Sequence, residues 1–265
     1  AVPPIFYAAL RFAVVALVML PWLWPMPRPA WRIILIGMLM GGGNFALLFI
    51  GLQTTSPSSA AIILQLGVPF TILLSMLMLG ERVHWRRGIG IGLTLLGVLV
   101  VVWRPEGITL STGLWFVAAA AFAGSAGAVL MKRVHDVAPF RFQAWVGLVS
   151  VITLTISSLL FEQGQWAAAV AVGWPLVAAV LFTALIVSVG AHSAYYHLIR
   201  NYEANLLAPL TLITPLATIA LGVLITNDAF DLRMGVGAAL AIGGVLIVAL
   251  RRKPATALLV DREQR

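Results

Sequence analysis

The chain has no cysteine, so neither a disulfide framework nor a thiolate metal site is available to it. Charge is also scarce: Asp, Glu, Lys and Arg make up 10% of its 265 residues, against about 25% in a soluble domain. With a hydrophobic content of 61% and a mean hydropathy of +1.02, that scarcity excludes a soluble globular protein. Period-two alternation is missing, which excludes a transmembrane barrel. Hydrophilic stretches long enough to form an extramembrane domain are missing too. All nine acids (Glu81, Glu106, Asp136, Glu162, Glu203, Asp228, Asp231, Asp261 and Glu263) fall in loops, at span ends or in the tail. No carboxylate then stands at a bilayer midplane, which disfavours an antiport mechanism centred on one. Neither a metal nor any other cofactor is expected.

What remains is a series of apolar runs long enough to cross a ~30 Å hydrocarbon core as helices. They lie near residues 5–24, 31–52, 57–79, 86–103, 110–131, 140–161, 174–199, 204–225 and 234–250. Residues 1–24 do not read as a signal peptide, because no basic segment precedes them and Arg11 interrupts the run.

The chain repeats itself. Placing Pro69 on Pro215, an offset of 146, sets Gln65 on Thr211 and Phe49 on Tyr195. At an offset of 147, Arg86 falls on Arg233, Gly88 on Gly235, Gly90 on Gly237 and Gly97 on Gly244. Pro4 aligns on Pro139, which pairs the run 5–24 with 140–161 and leaves 110–131 pairing with a segment before Ala1. The expectation is an all-α polytopic membrane protein with a ten-helix inverted repeat (5+5), of which nine helices are visible and the first is missing. An odd number of crossings per copy inverts the second copy. The first copy is expected over 1–106, the second over 107–250, and a polar tail over 251–265.

Charge sidedness gives the orientation. Of 17 Lys and Arg residues, all except Arg11, Arg104 and Arg233 fall on one side of this arrangement. The positive-inside rule makes that side cytoplasmic and places the C-terminus there. The net charge of +8 therefore implies no nucleic-acid partner. It is a topology determinant that also meets anionic lipid headgroups. Trp22, Trp24, Trp31, Trp103, Trp166 and Trp174 fall at span ends, as an interfacial belt requires.

Polar groups inside spans are costly, so they mark candidate sites. Gln65 and Thr211 both sit about 12 Å deep, on opposite sides of the midplane. Pro69 and Pro215, four residues on, cannot donate to the carbonyls of Gln65 and Thr211, which are left free for a ligand or water. His192 and Tyr195 share a helix face, and His192 titrates near neutrality if wet. Asn44 follows three glycines that allow close backbone approach. The expected substrate cavity therefore comprises Asn44, Gln65, Pro69, His192, Tyr195, Thr211 and Pro215. Arg11 either snorkels or ties helices, or it binds a substrate carboxylate. Ser125, within Gly124-Ser125-Ala126-Gly127, reads as helix packing. The glycines at 88, 90, 92 and 97, and at 235, 237, 243 and 244, read as packing faces.

Several stretches resemble a known family. They are Gly80-Glu81-Arg82-Val83 after a proline-bearing helix, the following glycine-spaced helix ending in LLGVLVVV, Ala8-Ala9-Leu10-Arg11-Phe12, and Asn201-Tyr202-Glu203-Ala204 leading into Ala208-Pro209-Leu210 and Pro215. Together these resemble the EamA repeat of the drug/metabolite transporter superfamily, with the nearest look to bacterial YddG- and EamA-type exporters of amino acids and metabolites. The resemblance implies ten helices, both termini cytoplasmic, and a central cavity lined here by 31–52, 57–79, 174–199 and 204–225. Asn227-Asp228-Ala229 departs from the pattern, since the second copy often repeats Gly-Glu-Arg there. The expected function is export of small organic solutes, most of all amino acids, across an inner membrane by alternating access. A carrier of organic cations or other metabolites is the alternative, and an intramembrane hydrolase using Ser125 and His192 the remote one. Nucleotide sugars are disfavoured because no cluster of cavity Lys or Arg is visible to hold phosphate.

Overall fold

In a computed structural model the chain is a helical membrane bundle. The structure describes residues 2–80, 85–104, 107–108, 111–131, 133–134, 137–191, 194, 213–228 and 230–249. Among the described residues the helices are α1 (Pro4–Val18), α2 (Ala30–Leu52), α3 (Pro57–Leu79), α4 (Trp85–Val102), α5 (Thr112–Met131), α6 (Pro139–Phe161), α7 (Gln165–Val172), α8 (Trp174–Ala191), α9 (Ile213–Ile225) and α10 (Leu232–Ala249). Six of these are long and apolar enough to span a membrane, and three shorter apolar helices accompany them. The chain is thus a multi-pass membrane protein.

Local chemistry sets the helix ends. Pro4 and Pro57 open α1 and α3, where a missing N–H has no cost. The Ser56 side chain caps α3 by accepting from the Ser59 N–H. Gly80 closes α3 in the left-handed conformation at φ 67°, which a side chain would strain. Two features depart from the sequence expectation. The connection over 162–173 contains the short helix α7, with Trp166 and Val170 on its exposed surface. Between α4 and α5, Trp103–Arg104 (β1) and Gly107–Ile108 (β2) pair as a small antiparallel ribbon.

The inverted relationship is visible in α4 and α10. Their described stretches correspond at an offset of 147, and they pack antiparallel, Gly90 against Gly244 and Gly97 against Gly237. A Cβ on Gly90 would lie 2.6 Å from the Gly244 carbonyl oxygen, and one on Gly97 2.5 Å from that of Gly237. Gly90 is the counterpart of Gly237, and Gly97 of Gly244, so the contact is reciprocal, as a two-fold axis requires. Thr94 directs its hydroxyl at the carbonyl of Ala241, its own counterpart, at 3.5 Å. The axis therefore passes beside Thr94, across the helices and in the plane of the membrane.

Other helices repeat in detail. The second part of α3, Gly67–Leu79, and α9, Ile213–Ile225, end at equivalent residues, Leu79 and Ile225, at an offset of 146. Helices α2 and α8 both widen into π-helical turns, at Met38–Gly42 and Phe182–Ala191, and the first range maps inside the second at that offset. Lipid offers no hydrophobic drive for helix association, so close packing and hydrogen bonds hold the bundle. Gly41 and Gly42 let α2 approach Ser150 and Thr153 of α6 in this way.

Candidate functional site

The first broken helix shapes the site. Helix α3 runs as α-helix over Pro57–Ile63, tightens to a 3-10 turn at Leu64–Leu66, and resumes at Gly67. Pro69 cannot donate to the Gln65 carbonyl, which is the physical reason for the break. The Ser125 hydroxyl, reaching across from α5, donates to the Gly67 carbonyl at 2.8 Å. That bond gives Ser125 a helix-packing role.

Beside this break lies a cavity of about 500 Å³, within the range usual for small-molecule sites, roughly 300–1,000 Å³. Leu48 and Leu52 of α2, Pro57, Ala60, Ala61, Leu64 and Gln65 of α3, and Thr214, Pro215 and Thr218 of α9 line it. Gln65 and Pro215, expected from opposite copies, share one cavity. Its wall is apolar except for the Gln65 amide and two hydroxyls, and the Thr218 hydroxyl donates to the Thr214 carbonyl at 2.9 Å. Gln65 lies eight residues below Pro57, about 12 Å along the helix. The mouth therefore faces the loop at 53–56, opposite the arginine-rich face. The polar lining positions Thr214 and Thr218 escaped the sequence reading. The cue was the spacing of Thr211, Thr214 and Thr218 along one helical stripe.

The other expected residues fall elsewhere or outside the described set. Pro69 is fully buried one turn below Gln65. Asn44 donates its amide to the Ala120 carbonyl at 2.6 Å, tying α2 to α5. Arg11 donates from Nε to the Ser188 hydroxyl at 2.8 Å, and its guanidinium lies 5.4 Å from the Phe45 ring centroid. Tyr7, one turn away, hydrogen-bonds the Thr183 hydroxyl at 2.9 Å and donates to the Ala179 carbonyl at 3.1 Å, so two side chains of α1 fasten it to α8. His192, Tyr195 and Thr211 lie outside the described residues. So does any pairing of His192 with Ser125.

Two acids organise the mouth side. Glu162 accepts from the N–H groups of Ile5 and Phe6, both at 2.8 Å, and so caps α1 from the end of α6. Asp228 accepts from the Ser58 N–H at 2.9 Å and from the Thr226 hydroxyl at 2.8 Å. Partial burial alone would raise the Asp228 carboxyl, but the bonds from Ser58 and Thr226 outweigh it and hold the group below its ordinary value. Asp228 thereby joins the loop after α9 to the first turn of α3, beside the cavity. Sequence reading saw it only as a break in a motif. The available signal was an acid facing a Ser-Pro-Ser helix start.

The EamA-like transporter family matches residues 1–103 and 111–250. A protein of Salmonella typhimurium described as a "Probable amino-acid metabolite efflux pump" is 26% identical over 258 residues, covering 92% of this chain and 85% of that protein. An Escherichia coli protein of the same description matches with the same identity and coverage. One crystal structure superimposes with a TM-score of 0.62 at 23% identity, over 100% of this chain and 91% of the other, a likeness of fold.

Proposed function

Because this chain belongs to the EamA-like transporter family, we propose that it exports small organic solutes, amino acids and related metabolites first among them, by alternating access. The supporting observation is the cavity of about 500 Å³ where a proline-bearing helix from each half of the chain meets the other. The description of the two bacterial relatives agrees with that substrate class. Leu48, Leu52, Leu64 and the two alanines offer an apolar wall for a side chain. The Gln65 amide offers both donors and an acceptor, and Thr214 and Thr218 add hydroxyls.

In this reading His192, Tyr195 and Thr211 extend the cavity, and Pro69 and Pro215 act as the flexing points of their helices. Asn44 supports the cavity from α2. Arg11 ties α1 to α8 through Nε, leaving its two terminal nitrogens to meet a substrate carboxylate. The acids among the described residues, Glu162, Asp228 and Asp231, all lie beyond helix ends. Transport is accordingly facilitative, or coupled weakly to protons through His192. The two copies, 1–106 and 107–250, rock against one another in a bacterial-type cytoplasmic membrane, with the tail 251–265 on the cytoplasmic side.

The test is uptake of labelled amino acids into proteoliposomes containing the full-length protein, with and without a pH gradient. Saturable movement without the gradient, reduced about tenfold or more in Gln65→Leu and His192→Leu, is expected from loss of about 1.4 kcal/mol or more of binding. Transport of organic cations but no amino acid overturns the substrate assignment. Full activity in Gln65→Leu overturns the cavity.

A further inference from the structure

We infer that the arginine-rich face carries a built site for the headgroup of an anionic phospholipid, between α2 and the end of α5. A cleft of about 80 Å³ opens there, lined by Trp31, Arg32, Leu35, Ile36, Leu130 and Arg133. Both cations are held in place. The Arg32 guanidinium stands 5.3 Å from the Trp31 ring centroid. An Arg133 Nη donates to the Met78 carbonyl in the last turn of α3. Neither arginine meets a carboxylate among the described residues, whose one arginine–carboxylate pair is Arg233 with Asp231 on the opposite face. Two preset guanidiniums with unused donors suit the paired oxygens of a phosphodiester. The first turn of α2 adds its own partial positive charge.

The apolar surroundings favour a lipid over a soluble anion. Trp31, Ile34, Leu35 and Met38 are all exposed and stand at i, i+3, i+4 and i+7 on α2. They form one stripe leading from the cleft into the hydrocarbon region, a track for an acyl chain. Trp31 sits at its interfacial end, where an indole ring prefers to lie. A basic pocket between helices with an apolar track below it fits a phosphate joined to acyl chains. The inference is independent of which solute the protein carries.

The test measures retention of phosphatidylglycerol and phosphatidylcholine with matched chains by the purified full-length protein, read by native mass spectrometry in mixed micelles. The expected result is preferential retention of phosphatidylglycerol, weakened about fivefold in Arg32→Ala and again in Arg133→Ala. Arg32→Lys keeps the charge but loses the planar fork, so it should fall between. Arg252→Ala, which removes one charge from the C-terminal basic run, should change nothing. Equal loss in Arg252→Ala overturns the site in favour of general attraction. Equal retention of the two lipids, or displacement of phosphatidylglycerol by millimolar inorganic phosphate, overturns the lipid assignment. Arg133 also ties α5 to α3, but Arg32 holds no hydrogen bond to a described residue, so Arg32→Ala keeps the test decisive if Arg133→Ala does not fold.

Discussion

Replacing Asp228 by Ala removes the bond that joins the loop after α9 to the first turn of α3, while leaving both helices intact. The carboxylate accepts from the Ser58 N–H at 2.9 Å, at the second residue of a helix opened by Pro57. Loss of a capping side chain costs about 0.5–2 kcal/mol, and the interaction of an anion with a helix N-terminus adds about 0.3–1 kcal/mol of the same order. A net of about 1 kcal/mol is a reasonable working figure, because the site is partly exposed and water replaces part of the loss. If the two copies rock as proposed, separation of the mouth-side helix ends must break this bond. An Asp228→Ala protein should then favour the separated state by about fivefold relative to the parent. Spin labels on Gln53→Cys and Ile225→Cys, both exposed positions, report the distance across the mouth by double electron–electron resonance. With no native cysteine, the labels have no competing thiols. Asp228→Asn should give a smaller shift, since it keeps an acceptor and loses the charge. The sign of the pH effect follows from the lowered folded-state value of the carboxyl. The stabilisation is present above the unfolded value near 3.9 and fades as pH falls through the folded value, so distances should not change between pH 7 and 5. An unaltered distance distribution in folded Asp228→Ala would refute the reasoning, because the bond would then be the same in every state.

Two further outcomes test the packing. Gly237→Leu places a side chain where a Cβ already lies 2.7 Å from the Gly97 carbonyl oxygen; folded yield by fluorescence-detected size exclusion should collapse, since backbone cannot give way as a flexible side chain can. Asn44→Ala removes the 2.6 Å bond to Ala120 and should lower stability in detergent by about 0.6–1.7 kcal/mol. Its detection as a drop in melting temperature with substrate affinity unchanged would mark Asn44 as a tie between helices, and the reverse would make it a ligand contact.

The spans were legible because hydropathy reports length and apolar character, the two properties a bilayer demands. The reciprocal glycine contact of α4 with α10 was legible only in part. Matching glycines announced equivalence, but which glycine touches which depends on the axis, and that is a three-dimensional fact. The tightened turn at Leu64–Leu66 could be anticipated from Pro69. The widened turn at Met38–Gly42 could not, because no local residue signals it and its neighbours Ser150 and Thr153 of α6 are more than a hundred residues away in the chain. Asp228 and Glu162 were invisible as partners of Ser58 and Ile5, which lie 170 and 157 residues away. Gln65 and Pro215 were brought to one cavity because the duplication itself encodes that meeting.

The two-fold axis beside Thr94 has an energetic corollary. For a chain whose halves were identical, the state open to one side and the state open to the other would be mirror descriptions of one arrangement, equal in energy by symmetry. Any preference between them must come from residues that the second half does not reproduce. Glu162 on Ile5 is a contact of that kind, because at the offset of 135 Glu162 falls on Pro27, which has no carboxylate, and it lies on the mouth side. Directional bias in such a molecule is therefore written in its asymmetries, a handful of side chains at the membrane surface. In the alternating-access cycle proposed above, a duplicated core would contribute equally to both ends.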